Sequence, residues 1–156
     1  MAIDKVREYF RKYNMEDRVQ EFDVSSATVE EAAKALNTEG KRIAKTMSFK
    51  LQDKIILVVL AGDARISNSK YKQTFHEKCH MLSFEEVEPL IGHPVGGVCP
   101  FAVNDGVEVY LDESLKRFET VFPACGSPSS AIELSIPELE KYSNPVSWVD
   151  ISNYEE

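Results

Sequence analysis

The sequence predicts an α+β protein with a mixed, barrel-like β-sheet flanked by helices, in a single domain over residues 1–156. Two apolar segments, 43–51 and 54–61, are separated by only two residues, which is typical of an antiparallel hairpin. The second is apolar enough to be a central strand. The remaining strand patterns are interspersed irregularly with helical ones, which favours α+β over strict β–α alternation.

The N-terminal part of the chain predicts two helices and a short strand. Apolar residues recur at steps of three and four between residues 3 and 13, which indicates an amphipathic helix. A short strand is expected near 18–24. Thr28 and Glu31 have the spacing of a capping box, so a second helix is predicted to begin there and to end near Gly40.

After the hairpin, a helix is predicted over 68–77 and a short strand over 79–82. Ser83 and Glu86 form a second capping box, and the helix that they begin is expected to stop at Gly92. A loop rich in glycine and proline follows this helix.

The C-terminal third predicts further strands near 107–111, 120–124, 130–135 and 147–151. Pro137 is suited to the first turn of a short helix before the last of these strands. These elements complete the expected sheet.

Composition favours a cytoplasmic protein without a cofactor or a metal. The longest apolar run, 55–61, is far too short to span a membrane, and the N-terminal segment lacks the apolar region of a secretory signal. Cys79, Cys99 and Cys125 are odd in number and form no CxxC pair, so we expect reduced thiols and no structural zinc site.

Charge is distributed unevenly along a chain whose net charge is -8. Residues 1–80 contain 15 Lys+Arg and 12 Asp+Glu, whereas residues 81–156 contain 3 and 14. This balance disfavours DNA and membrane surfaces as partners, but it allows a local positive face. The residues expected in that face are Lys41, Arg42, Lys70 and Lys72; an ordinary solvated surface is the alternative.

The loop over residues 91–101 is the first candidate site. Gly96 and Gly97 allow a ligand to approach backbone N–H groups, which suit a carbonyl or phosphate oxygen. His93 in the same loop is interpreted as a general base, as a group that contacts a polar group of a ligand, or as a surface histidine. A purely structural turn is the alternative for the whole loop.

Lys45 is the second candidate, because it alternates with Ile43 and Met47 on one strand face where an apolar residue is expected. A lysine that does not reach water requires an anion or loses its proton. It is therefore either an oxyanion or phosphate contact in a pocket, or a lysine whose amine reaches solvent at the strand end.

A second small-residue loop lies over 125–131, and its hydroxyl groups include those of Ser127 and Ser130. They are interpreted either as ligand contacts or as caps of a tight turn. Asp112 and Glu113 are interpreted as capping residues.

In order along the chain, the segments IAKTMSFK, KIILVVLAGD, IGHPVGGVCPF, VYLDESL and ACGSPSSAIEL resemble the YbaK/ProX (YbaK/EbsC) family of aminoacyl-tRNA editing domains. The resemblance covers roughly residues 20–151. It implies the YbaK/ProRS-associated editing-domain fold and hydrolysis of the ester that joins a wrong amino acid to tRNA, typically tRNA for proline.

The resemblance implies roles for particular residues. Lys45, followed by Thr46, matches the lysine on which activity depends in the family. Gly96 and Gly97 match the loop whose backbone N–H groups lie near the scissile ester, and residues 126–131 match the loop that shapes the amino-acid pocket. The other residues expected to bind substrate are Thr28, Thr46, His93, Val95, Gly126, Ser127, Ser130 and Ala131.

The resulting hypothesis is a free-standing trans-editing deacylase that acts on tRNA for proline carrying a small wrong amino acid, with delivery by prolyl-tRNA synthetase as a further hypothesis. Members of the cysteine-editing type carry an aspartate where this chain has Ala131, which disfavours mischarged cysteine. One alternative is a non-catalytic module that binds an amino acid, a nucleotide or the tRNA acceptor end in the same pocket. Another is a thiol hydrolase that uses Cys99 or Cys125.

Overall fold

A computed structural model of the chain describes residues 2–154, which contain five α-helices, three 3-10 helices and ten strands. The α-helices are α1 (Ala2–Arg11), α2 (Val29–Leu36), α3 (Asn68–Phe75), α4 (Phe84–Ile91) and α5 (Ile136–Ser143). The strands are β1 (Gln20–Glu21), β2 (Ile43–Leu51), β3 (Lys54–Ala61), β4 (Arg65–Ile66), β5 (Glu108–Asp112), β6 (Thr120–Pro123), β7 (Ser130–Ala131), β8 (Leu134–Ser135), β9 (Ser147–Val149) and β10 (Ser152–Asn153). The 3-10 helices are Glu16–Arg18, Gly40–Arg42 and Glu113–Arg117.

The main sheet has six strands in the order β8-β6-β2-β3-β5-β9 and curls into a half-barrel. Its centre is the antiparallel hairpin β2–β3, in which Ala44 is paired with Ala61 and Leu51 with Lys54. Strands β6, β5 and β9 run parallel to β2, β3 and β5 respectively, and β8 runs antiparallel to β6. The sheet is therefore mixed, and the predicted α+β class is confirmed.

Strand β3 lies inside the sheet, and both of its faces are covered. Residues 56–61 are fully buried. Leu57 and Val59 belong to a core that includes apolar residues of α1, α4 and α5, whereas Ile56 and Val58 pack with Tyr71 of α3. Each large apolar side chain fully buried in this way stabilises the fold by roughly 1.5–3 kcal/mol, which explains the continuous apolar run in the sequence.

Both predicted capping boxes are present. The Glu31 amide donates to Thr28 Oγ1 at 3.1 Å, and the Ser83 amide donates to Glu86 Oε1 at 2.9 Å. The second helix is shorter than predicted, because Asn37 adopts the left-handed conformation at φ 54° and ends α2 three residues before Gly40.

Several predicted strands are shorter than expected. The segment near 18–24 contributes only the two residues of β1, after a 3-10 turn. Residues 79–82 form a single bridge, between Met81 and Phe49. The segment 130–135 is divided into β7 and β8, because the Ile132 amide leaves the strand pattern and donates to Pro123 O at 3.0 Å.

Within residues 2–154, no helix combines the length and the apolar character needed to cross a membrane.

Candidate functional site

A cavity of about 320 Å³ lies against β2, between the start of α2, the start of α4 and the loop over residues 91–101, here called the glycine loop. Its walls come from segments that are distant in the sequence, including Phe122 of β6 and Ala131 of β7. The volume falls at the lower end of the range for small-molecule sites. The predicted site residues that line it are Thr28, Lys45, Thr46, Val95, Gly96, Ser130 and Ala131.

Lys45 is half-buried and lines this cavity together with Ile43 and Met47. Its Nζ donates a hydrogen bond to Gly62 O at 3.3 Å. Desolvation lowers the pKa of Lys45, whereas the nearby carboxylate of Asp63 acts in the opposite direction. An anion that entered the cavity would stabilise the ammonium form, because it would replace the hydration that burial has removed.

Thr46, the next residue along β2, carries an unsatisfied hydroxyl. Its Oγ1 is buried and has no hydrogen-bond partner within residues 2–154. A buried hydroxyl without a partner costs free energy, so such groups in native proteins need an explanation. Thr46 lines the cavity, but its Oγ1 is not exposed, so a ligand atom reaches this hydroxyl only if the side chain rearranges locally.

The glycine loop contributes Val95 and Gly96 to the cavity wall. Gly96 has φ +89°, and its backbone N–H has no hydrogen-bond partner within the described part of the chain. The Gly97 N–H instead donates to Pro94 O at 3.0 Å. A Cβ on Gly97 would lie 2.5 Å from Ser127 N, so this residue allows close packing of the glycine loop on the small-residue loop over 125–131, here called the serine loop. Of the two predicted backbone donors, only Gly96 lines the cavity.

The serine loop presents Ser130 and Ala131 to the cavity, whereas Gly126 and Ser127 lie outside its lining. Ser127 Oγ donates to Ser130 Oγ at 2.8 Å, and Ser130 Oγ donates to Ser127 O at 3.3 Å. These hydroxyls therefore stabilise the turn, as the capping interpretation expects. Gly126 has φ +91° and packs against the backbone of Ala2.

His93 is fully buried and does not line the cavity, so the interpretation as a surface histidine is wrong. Its Nε2–H donates to Phe101 O at 2.7 Å, and Cys99 Sγ lies 3.5 Å from the same nitrogen. Burial lowers the pKa of His93 and favours the neutral ring. The position of this ring inside the loop core does not support its predicted contact with substrate.

Cys99 and Cys125 are also fully buried and lie outside the cavity lining. Desolvation raises the pKa of Cys99 to about 12 and raises the pKa of Cys125 well above the usual value for a thiol. Since the thiolate is the reactive form, neither residue has the environment of a cysteine nucleophile.

The basic residues expected to form one positive face are separated. Lys41 pairs with Glu39, and Arg42 contacts both Thr120 and Glu133 near the start of β2. Lys70 lies in a different depression, where its Nζ contacts Asp150 at 3.1 Å. The predicted face is thus partly neutralised and is not continuous around the cavity.

Phe84 and Met81 line the cavity but were not predicted as site residues. Phe84, Val87 and Ile91 share one helical face, which predicts burial of all three residues. The two later residues are buried, but Phe84 is 75% exposed. Helical periodicity alone therefore gave no signal for its position at the cavity.

The fold and the cavity define a class of small α+β domains with a half-buried lysine in an amino-acid-sized pocket. The chain belongs to the aminoacyl-tRNA editing domain family, whose model matches residues 23–142. The resemblance identified in the sequence is therefore confirmed.

Two curated relatives illustrate this relationship. The chain is 52% identical over 152 residues to "Uncharacterized protein YwhH" of Bacillus subtilis (strain 168), a match that covers 97% of each protein. It is 32% identical over 100 residues to the proline–tRNA ligase of Bacillus cytotoxicus (strain DSM 22905 / CIP 110041 / 391-98 / NVH 391-98). That second match covers 64% of this chain and only 17% of the ligase.

Solved structures share the same fold. The crystal structure of a candidate trans-editing enzyme for prolyl tRNA synthetase superposes with a TM-score of 0.87 at 25% sequence identity, over 97% of each chain. The crystal structure of hypothetical protein APE2540 gives a TM-score of 0.85 at 27% identity, over 96% of this chain and 99% of the other.

Proposed function

We propose that this protein is an aminoacyl-tRNA deacylase that acts in trans, in the cytoplasm, on tRNA for proline carrying a small wrong amino acid. The observation that carries the proposal is the half-buried Lys45 in the cavity of a chain that belongs to the editing-domain family. The similarity to part of a proline–tRNA ligase supports tRNA for proline as the carrier. The likeness to a candidate trans-editing enzyme over 97% of both chains supports action in trans.

Lys45 and Gly96 supply the electrostatic part of the proposed mechanism. Attack of water on the ester carbonyl gives a tetrahedral intermediate with a negatively charged oxygen. When this intermediate collapses, the bond between the carbonyl carbon and the ribose oxygen breaks, the ribose oxygen takes up the proton that the water loses, and the free amino acid and the tRNA are released. The Lys45 ammonium has three N–H groups and, within residues 2–154, only Gly62 O as a hydrogen-bond partner. Its remaining N–H groups and the Gly96 N–H are the donors that this oxygen requires.

The reaction needs little else from the protein. An aminoacyl ester is already labile, so orienting water and stabilising the oxyanion are sufficient to accelerate hydrolysis. The Thr46 hydroxyl has no partner in the described residues, and it becomes a further contact for a polar group of the substrate if its side chain rearranges on binding. A mechanism without a nucleophilic side chain is consistent with the unreactive environments of Cys99 and Cys125.

Selection of the amino acid is assigned to the size of the cavity. Its apolar wall includes Val29, Ala32, Ile43, Phe122 and Ala131. Overfilling a packed site costs roughly 1–3 kcal/mol, so a bulkier amino acid is disfavoured more strongly than a small one.

The test is the release of labelled alanine, serine, threonine, cysteine and 2-aminobutyrate from tRNA for proline, with correctly charged prolyl-tRNA as the reference. We expect the wild type to release one or a few wrong amino acids. Lys45→Ala is expected to lower kcat about 100- to 1000-fold, the effect of removing one oxyanion donor. Lys54→Ala is the control, because this strand lysine pairs with Glu108 and does not line the cavity.

Two results would contradict the proposal. If the wild type accelerates no release above the rate in buffer, the deacylase hypothesis fails for these substrates, and a module that only binds its ligand is the better interpretation. If Lys45→Ala and Lys54→Ala have the same activity as the wild type, another group performs the chemistry.

A further inference from the structure

The mouth of the cavity carries three exposed apolar side chains. Phe84 is 75% exposed, Met81 58% and Val95 42%, and all three line the same cavity as Lys45. Phe84 has the largest exposure among the large apolar residues in the described part of the chain. Exposed apolar groups that cluster at a concave site mark an interaction surface more often than isolated ones do.

From this arrangement we infer that Phe84 is a stacking platform for the terminal nucleobase of the tRNA acceptor end. The inference rests on the proposed function, because an aminoacyl ester held at Lys45 leaves its ribose and base outside the amino-acid pocket. The base then meets the rim, and an aromatic ring beside a methionine and a valine offers it a flat apolar surface. Stacking of a base on an aromatic side chain is worth about 1–3 kcal/mol.

The charges near the rim favour a nucleobase over a backbone phosphate as the group that is recognised there. Lys50 is engaged by Glu86 at 2.7 Å, in the first turn of the helix that begins with Phe84. This pair leaves little net positive charge beside the aromatic ring. Attraction of phosphates requires cations that are free to release counterions, whereas stacking on a π-face does not.

Phe84 differs from other exposed aromatic residues because it is continuous with the cavity that holds Lys45. Tyr13 is a second exposed aromatic residue, at 40%, but its ring packs against Tyr9 and Tyr142 and does not line the cavity. If the RNA bound to any exposed aromatic residue, substitution of Phe84 or Tyr13 would weaken binding equally. The stacking assignment predicts that, of these two residues, only Phe84 affects binding of the acceptor end.

The experiment uses an acceptor-stem RNA hairpin that ends in CCA, with 2-aminopurine as the last base. Stacking quenches the fluorescence of 2-aminopurine, so titration with protein reports both affinity and stacking. We expect quenching by the wild type, retention of quenching in Phe84→Tyr, and loss of quenching with about tenfold weaker binding in Phe84→Ala. Tyr13→Ala is the matched control and should bind as the wild type does.

The inference is overturned if the wild type binds the hairpin without quenching, if it fails to bind, or if Phe84→Ala quenches as strongly as the wild type. The last result would mean that the base stacks on a group other than Phe84, and an absence of RNA binding would mean that the rim does not recognise the acceptor end. Deacylation with no quenching would leave the proposed function standing without the stacking assignment. If quenching depends on Phe84 but the protein hydrolyses no aminoacyl-tRNA, the stacking assignment stands and the proposed deacylase function fails.

Discussion

Lys45 is held in place by the turn that follows β3. Its Nζ contacts Gly62 O at 3.3 Å, and the next residue, Asp63, accepts hydrogen bonds from Arg117 at 2.6 and 3.0 Å. A Cβ on Gly62 would lie 2.0 Å from Gly40 O, so this turn is packed closely on the 3-10 helix that precedes β2. The environment of the amine is therefore set by residues outside the cavity lining.

Asp63 and Arg117 are expected to change the pH dependence of deacylation in opposite directions. Asp63 raises the pKa of Lys45 against the lowering caused by burial. Asp63→Asn removes this carboxylate and leaves the Arg117 cation, so the alkaline limb of kcat/KM should move to lower pH. Arg117→Gln leaves the carboxylate without its partner and should move the limb to higher pH. Shifts in the same direction, or none in either variant, would contradict a role for the protonated lysine.

At the residue scale, the sequence predicted best where a residue type conflicts with its pattern. Lys45 was found because a cation interrupts an apolar strand face. Phe84 was not found, because an apolar residue on the apolar face of a helix agrees with its pattern even though the side chain is exposed. Burial of His93 was not predicted, because a polar residue in a glycine-rich loop gives no sign in the sequence that the loop folds around its side chain.

Among the structural elements, the glycine loop brings Gly96 to the cavity and Gly97 to the serine loop. A Cβ on Gly96 would lie 3.0 Å from the Cβ of Ala27 and 3.3 Å from that of Pro128. Both neighbours are themselves close to the cavity: Ala27 lines it, and Pro128 lies in the serine loop. The position of this loop therefore determines where the Gly96 N–H is directed.

Gly96→Ala and Gly106→Ala form a matched pair that tests this role. The two glycines have φ +89° and φ +90°, so alanine at either position costs about 1–2 kcal/mol of stability from the left-handed conformation. Nothing lies within 4 Å of a Cβ on Gly106, whereas the Gly96 variant must also displace Ala27 or Pro128. We therefore expect a larger stability loss in urea denaturation for Gly96→Ala than for Gly106→Ala, and at least tenfold loss of deacylation only in Gly96→Ala. Equal activities in the two variants would show that the loop position is not important for the reaction.

The elements that the sequence predicted well are those with long, uniform patterns. The hairpin over 43–51 and 54–61 was predicted with its observed bounds, because a nine-residue strand and an eight-residue apolar run separated by two residues are long enough to be recognised. Strands of two residues, such as β1 and β7, give no periodic signal. Their pairing, Gln20 with Ala131 and Glu21 with Ser130, depends on contacts between segments about 110 residues apart along the chain.

For the whole molecule, the candidate site depends on how distant segments are held together. The cavity combines residues from the loop before α2 to β7, so its shape is a property of the complete fold. One link between distant segments is Arg18, which follows α1 and donates to both carboxylate oxygens of Glu138 in α5, at 2.8 and 3.0 Å. The same arginine donates to Glu133 O at 2.7 Å.

This link predicts an acid-sensitive part of the global stability. The Arg18 guanidinium lowers the pKa of Glu138 from its ordinary value of 4.5 to about 2. Because the folded protein binds the proton less tightly than the unfolded chain does, the stabilisation is present above pH 4.5 and is lost as the pH falls toward 2. The side chain is 33% exposed, so solvent screening limits the contribution to about 1 kcal/mol.

Glu138→Gln should therefore lower the free energy of unfolding by about 1 kcal/mol at pH 7. The difference in this free energy between the variant and the wild type should become smaller between pH 4.5 and pH 3. Urea denaturation at pH 7, 4 and 3 measures both effects. Glu8→Gln is the control, since Glu8 forms a more exposed pair with Arg11 within one helix, and a change below about 0.5 kcal/mol is expected. A difference between Glu138→Gln and the wild type that stays constant down to pH 3 would mean that packing, rather than the charge of Glu138, provides the stabilisation.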